Sequence, residues 1–159
     1  MRNVLLAILF MTSIASCSIA PELVSLSEAP DAPDISTKWK KYEQFNWDRI
    51  EMISVDDKFI GPLYWGGAVK MEPGQHLITV KMSFNRGLGT GPFEAQVALR
   101  PVLLPAQHYV LNGSVEGVEV TVWVEDAATG VRVGESQSGQ WRDMPRQETS
   151  TPIFIPIKK

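Results

Sequence analysis

The chain has 159 residues, a formal net charge of −3 and a single cysteine, Cys17. That length holds one domain with a tail or two, a lone cysteine closes no intramolecular disulfide, and such mild acidity offers no clustered basic face for nucleic acid. The fold must therefore stand on its apolar core.

Arg2 gives a short positive start, Val4 to Met11 is an apolar run of eight residues, and Thr12 and Ser13 end it. A charged start, a short apolar stretch and small residues before a cut describe an export signal. As a helix, eight residues reach about 12 Å against a hydrocarbon core of about 30 Å, too little to span a bilayer. The tetrapeptide Ile14-Ala15-Ser16-Cys17 resembles the bacterial lipobox, in which an aliphatic residue and two small ones precede an invariable cysteine. The resemblance implies that residues 1–16 are a lipoprotein signal peptide and that the Cys17 sulfur receives diacylglycerol. It further implies an acylated new amino terminus, as with palmitate, and a membrane as partner through Cys17. Two or more acyl chains hold a membrane stably, at about 0.8 kcal/mol per buried CH2. Ser18 stands where an Asp signals inner-membrane retention in enterobacterial lipoproteins. The resemblance therefore implies the outer membrane of the cell envelope, facing the periplasm.

Residues 17–37 are expected to be a lipid-anchored flexible tether, because Pro21, Pro30 and Pro33 sit among serines and acidic residues. Leu23, Val24 and Leu26 leave open a segment that folds onto the domain. Lys38 to Phe45 fits either a helical turn or an extra strand. From Asp48 onward the chain reads as strand and turn. Ile50 to Val55, Phe59-Ile60, Ala68 to Met71 and His76 to Phe84 are rich in β-formers. Asn85 to Pro92, with Gly87, Gly89 and Gly91, is a loop. Phe93, Ala95, Val97 and Leu99 alternate with Glu94, Gln96 and Ala98. Val118, Val120, Val122 and Val124 oppose Glu119, Thr121, Trp123 and Glu125, the clearest period-two signal in the chain. Short strands at such spacing, without an amphipathic helix, predict an all-β domain over residues 38–135, an antiparallel β-sandwich of immunoglobulin or transthyretin type. Residues 136–159 are expected to be an irregular tail ending in the apolar segment Ile153 to Ile157, in which Pro152 and Pro156 forbid a central strand.

Pro73-Gly74-Gln75-His76 and Pro105-Ala106-Gln107-His108 each read as a turn opening a strand. With Ile53 to Asp57 upstream, Tyr109, and Asp126 to Gly130 downstream, they form a string over about residues 50–134. This string resembles the PEGA-like small β-sandwich lipoproteins of Gram-negative bacteria. Ala106 departs from it, standing where the second turn would carry glycine. The resemblance implies a fold and an envelope setting and brings no catalytic residues.

Candidate chemistry is sparse. His76 and His108 lack the further ligands at spacings a zinc site needs, so no metal and no cofactor are expected. No Gly-x-Ser-x-Gly elbow is present, and Gly87 to Gly91 lacks the Lys-Ser/Thr of a phosphate-binding loop. Asp56-Asp57 and Glu125-Asp126 read as turn residues, although paired carboxylates also serve acid–base work on glycosides. No catalytic residue is assigned. Exposed aromatics stack on sugars or anchor protein contacts, which makes Trp65 and Trp123 candidate contacts, together with Phe154 of the apolar tail. The expected function is a non-enzymatic binding or structural accessory module of the cell envelope, whose partner is another envelope protein or peptidoglycan. The alternative is a hydrolase of envelope glycan or peptide.

Overall fold

The computed structural model describes residues 23–61, 63, 67–87 and 91–144. No helix occurs among them, and the chain is an all-β sandwich. Its first half supplies β1 (Leu23–Ser25), β2 (Asp34–Ser36), β3 (Trp39–Glu43), β4 (Asn46–Val55), β5 (Lys58–Phe59), β6 (Ala68–Lys70) and β7 (Gly74–Gln75). The second half supplies β8 (Ile78–Arg86), β9 (Phe93–Leu99), β10 (Val102–Leu103), β11 (His108–Glu116), β12 (Glu119–Asp126), β13 (Arg132–Gln140) and β14 (Arg142–Asp143).

Strands in the order β1-β6-β2-β11-β12-β13 make one sheet; β14-β9-β8-β4-β3 make the other, with β5 paired to β4. The first sheet is mixed, because β1 runs parallel to β6 and β2 parallel to β11. Alternation explains the layering. Val120, Val122 and Val124 on β12, with Tyr109 and Leu111 on β11, face Ile50, Met52, Val80, Met82, Val97 and Leu99 of the second sheet. Val118 leaves the alternation, since it forms the β11–β12 turn with Gly117 and is exposed. Gly113 marks a close approach of the sheets. A Cβ there would stand 2.9 Å from the Thr121 carbonyl oxygen and 3.0 Å from Met82 Sδ.

Two boundaries differ from the sequence expectation, and one open segment takes the strand alternative. The tether of residues 17–37 gives way to folded structure from Leu23: β1 and β2 belong to the first sheet, and Ile35 is wholly buried in the core. Leu26 N donates to the Lys70 carbonyl and Met71 N to the Pro33 carbonyl, so Pro30 and Pro33 sit in a connection sewn to β6. Lys38 to Phe45 resolves into β3 and the start of its hairpin with β4. The domain also runs past residue 135, because β13 reaches Gln140 and β14 pairs with β9. A polar strand reads as loop, yet β13 is an edge whose two faces both meet water.

The chain crosses between sheets on both flanks. On one, β2 leads through Thr37 and Lys38 into β3, with Thr37 N donating to the Gly67 carbonyl and Ile50 N to the Lys38 carbonyl. On the other, β13 leads through Trp141 into β14. The β3–β4, β8–β9 and β11–β12 connections share one end of the sandwich, here the upper end. The β4–β5 and β12–β13 turns lie at the lower end. The register of β1 on β6, β6 on β2 and β2 on β11 puts Leu23 at the upper end of β1, which then runs downward.

Ile35→Ala is expected to cost about 2–5 kcal/mol through the cavity it leaves, and Gly113→Ala about 1–3 kcal/mol through overpacking. Urea unfolding of the purified chain measures both; an unchanged midpoint for Ile35→Ala would return residues 34–36 to a tether.

Candidate functional site

Of the residues singled out from sequence, Cys17, Trp65 and Phe154 lie outside the described residues. Trp123 is described, and it sits in a developed polar arrangement with Glu125, Asn112 and Arg132. Residues two apart on a strand share a face, so Trp123 and Glu125 point outward together from β12. The register sets Asn112 opposite Trp123, and Glu125 between Val110 and Arg132. The Trp123 indole Nε1 donates to Glu125 Oε1 at 2.6 Å, and Asn112 Nδ2 donates to Oε2 at 2.9 Å. The Arg132 guanidinium lies over the indole, 4.0 Å from its ring centroid, an attractive cation–π geometry.

Trp123 therefore points out of the core, as its place in the alternation predicts, but it is only 8% exposed. Its exposure as a contact residue is corrected accordingly: Arg132 occupies the ring, and stacking on a sugar there requires that guanidinium to move. Burial pushes the Glu125 carboxyl up most strongly, but the bonds from Trp123 and Asn112 and the charges of Lys38 and Lys40 together hold it below its ordinary value of 4.5. Both oxygens are engaged, so Glu125 works here as a fastener.

Asp56 and Asp126, also named from sequence, are engaged as well. Asp56, at φ 48° in the β4–β5 turn, faces His76 Nδ1 at 2.7 Å through Oδ2 and accepts from Leu77 N through Oδ1 at 2.9 Å. His76 Nε2 lies 2.6 Å from the Glu72 carbonyl oxygen, tying three turns of the lower end. The bond to His76, followed by that from Leu77, holds the Asp56 carboxyl below its ordinary value. His108 Nδ1 meets Asp34 Oδ2 at 2.7 Å, fastening β11 to β2. Asp126 caps its own turn, accepting from the Thr129 hydroxyl and amide at 2.8 Å and the Ala128 amide at 3.1 Å. The Asp-x-x-Thr-Gly string is thus a turn device.

The outward face of the second sheet carries Glu51, only 1% exposed, between Arg49 Nη2 at 3.2 Å and Lys81 Nζ at 3.0 Å. These approaches lack the angles of directed hydrogen bonds, and the Ser83 hydroxyl beside them is buried without a partner. Two shallow polar clefts follow the line where β13 passes β9. One, of about 250 Å³, is lined by Lys81, Glu94, Gln96, Gln140 and Arg142; the other, of about 380 Å³, by Gln75, Arg100, Glu135 and Gln137. In the first, Arg142 is already paired with Glu94 at 3.0 Å.

Three aromatics of one hairpin show much of their surface to solvent. Trp39, Tyr42 and Phe45 of the β3–β4 hairpin are 40%, 56% and 45% exposed. In the sequence they crowd the start of the domain together with Trp47, a grouping that does not by itself separate exposed aromatics from ones that cover a sheet. No sequence signal marks Phe59, Val102, Leu104 and Val131, exposed toward the lower end, because singly placed apolar residues beside turns carry no pattern. Among the described residues no group of three or more His, Cys, Asp or Glu side chains is placed to hold a metal, and no helix is long and apolar enough to cross a membrane. No family model, curated protein or solved structure matches the chain.

Glu125→Gln is expected to destabilise the domain by about 1 kcal/mol at neutral pH, the worth of a solvent-discounted charge-assisted bond. A depressed carboxylate contributes stability that is complete above pH 4.5 and lost as pH falls through its lower folded value. The difference between wild type and variant, followed by thermal unfolding across pH, should therefore shrink below pH 4.5.

Proposed function

We propose that this chain is a lipid-anchored protein of the bacterial cell envelope, held through Cys17, whose β-sandwich is a non-enzymatic binding or structural accessory module. The observation that carries the reading is the lipobox-like Ile14-Ala15-Ser16-Cys17 followed, after only residues 18–22, by a strand of the sandwich. An anchor placed so close to a fold serves to hold that fold at a membrane surface. The absence of Asp at position 18 supports the outer membrane, with the domain in the periplasm. The sandwich architecture accords with the resemblance to PEGA-like lipoproteins.

The engagement of Asp56, His76, Glu125 and Asp126 in turns and strand fastening supports binding over catalysis. General acid–base chemistry needs a carboxyl within reach of a substrate proton, and these four are committed to the protein's own groups. The partner is another envelope protein or peptidoglycan.

Expressed in a Gram-negative host, the wild-type chain should fractionate with outer-membrane density. The peptide beginning at Cys17 should carry the diacylglyceryl and acyl mass by mass spectrometry. Cys17→Ser should move to the soluble fraction with its fold retained by circular dichroism. An unmodified wild-type Cys17 would sink the anchor, while turnover of purified peptidoglycan by the wild-type chain would sink the non-enzymatic reading.

A further inference from the structure

The lower end of the sandwich shows apolar side chains to solvent from three separate connections. Phe59 follows the β4–β5 turn, Val102 and Leu104 lie between β9 and β11, and Val131 closes the β12–β13 turn; all four are between 53% and 75% exposed. Their exposure is built into the fold: Leu103, 1% exposed, plugs the core from below, so its neighbours Val102 and Leu104 face away from it. The three connections are bound into one surface. Asp56 Oδ2 meets His76 Nδ1, His76 N donates to the Pro101 carbonyl at 3.2 Å, and a Cβ on Gly134 would stand 3.7 Å from Pro101 Cα. Exposed Lys58 precedes Phe59, and exposed Arg100 stands two residues before Val102. The acids of the two lower turns, Asp56 and Asp126, are committed to His76, Leu77, Thr129 and Ala128, and Asp57 stands beside Lys58.

Chain length decides what this surface meets. Six Cα–Cα steps separate Cys17 from Leu23, a reach of about 20 Å at most. Pairing sets Leu23 in one row with Ala68, Ser36, Val110, Glu125 and Arg132. That row lies two residues, about 7 Å, above His108, where β11 starts, and six residues, about 20 Å, below Glu116, where it ends. Because β1 runs downward from Leu23, the lower end requires one reversal of the linker. Five steps then remain, about 17 Å, more than twice the distance to be covered. The upper end would take the whole linker taut, at the cost of its conformational entropy. An acyl chain on Cys17 thus enters a bilayer beneath the lower end with slack to spare, and barely draws level with the upper one.

We propose that the lower end of the sandwich docks on the phospholipid surface that holds the anchor, with Phe59, Val102, Leu104 and Val131 among the headgroups and upper acyl carbons and Lys58 and Arg100 against lipid phosphates. Exposed apolar side chains gain by leaving water, and a lysine or arginine lays its stem on such a surface while its charge stays among phosphates. Four such side chains hold a free domain to a bilayer only weakly. Kept at high effective concentration by the acyl chains, they suffice to orient a tethered one. The inference rests on the Cys17 anchor proposed above and adds which end of the fold faces the bilayer. The β3–β4 hairpin and Val118, at the upper end, then point away from it.

The test uses the acylated full chain, in which lipidation removes the only native thiol, reconstituted in vesicles of phosphatidylethanolamine and phosphatidylglycerol. Ala128→Cys in the β12–β13 turn, and Gln44→Cys in the β3–β4 turn, each carry a polarity-sensitive fluorophore; headgroup spin-labelled lipid is the quencher. A blue-shifted, quenched probe at position 128 and an unshifted, unquenched one at 44 are expected. Combining Phe59→Ser, Val102→Ser, Leu104→Ser and Val131→Ser should abolish the shift and quenching at 128 with circular dichroism unchanged. Val118→Ser, at the upper end, should leave both intact. Where the combined variant loses its β signal, Phe59→Ser and Val131→Ser taken singly must each weaken the quenching. A chain recovered without the acyl mass overturns the anchor and this inference with it. An acylated chain with an unquenched probe at 128, or with 44 quenched as strongly, overturns the inference and leaves the anchor standing. Quenching at 128 that survives the combined variant, or both single ones where that variant unfolds, also overturns it.

Discussion

The two sheets are held in register at their upper end by Trp141, where the chain leaves one sheet and enters the other. Its backbone amide donates to the Val118 carbonyl and its indole to the Gly117 carbonyl, both in the hairpin of the first sheet. Its ring packs at 4.3 Å from the Phe93 centroid and 6.0 Å from that of Phe84, on the second sheet. One side chain thus binds the turn of one layer to the core aromatics of the other. Such a clasp matters in a domain with no cysteine among its described residues, because burial between the sheets must supply the cohesion that a cross-link would otherwise add. The opposite flank is closed by the Thr37–Lys38 crossing, so the layers cannot slide apart at either side.

With the layers fixed, the outward faces are organised by charge. Glu125 on the first sheet, partly buried, and Glu51 on the second, almost wholly buried, are carboxylates on outward faces, each held by donors or cations from its own and a neighbouring strand. Burying a carboxylate is costly unless it is paired, and here the pairing spans two or three strands. These clusters restrict where a strand may slip, since a one-residue shift would leave a charge without its partner. The same engagement limits what the faces offer to a ligand: Arg132, Lys81 and Arg142 are spent on protein groups.

Legibility in the sequence follows strand length and burial. On β9 and β12 one face stays buried along the whole strand, and Ala95, Val97 and Leu99, or Val120, Val122 and Val124, announce it. In β1 and β2, three residues each, no period can develop, and Pro30 and Pro33 signal a linker that is in fact a tight connection. Along β13 the edge position exposes nearly every side chain, so Ser136 to Gln140 reads as irregular tail. For Trp123, alternation gives the direction of the ring but not its cover. Arg132 reaches it across a bulged pairing, with Val122 opposite Gln137 and Val124 opposite Val133, an offset that no local pattern encodes. The histidines behave as turn fasteners through partners 20 and 74 residues away, which spacing alone does not reveal.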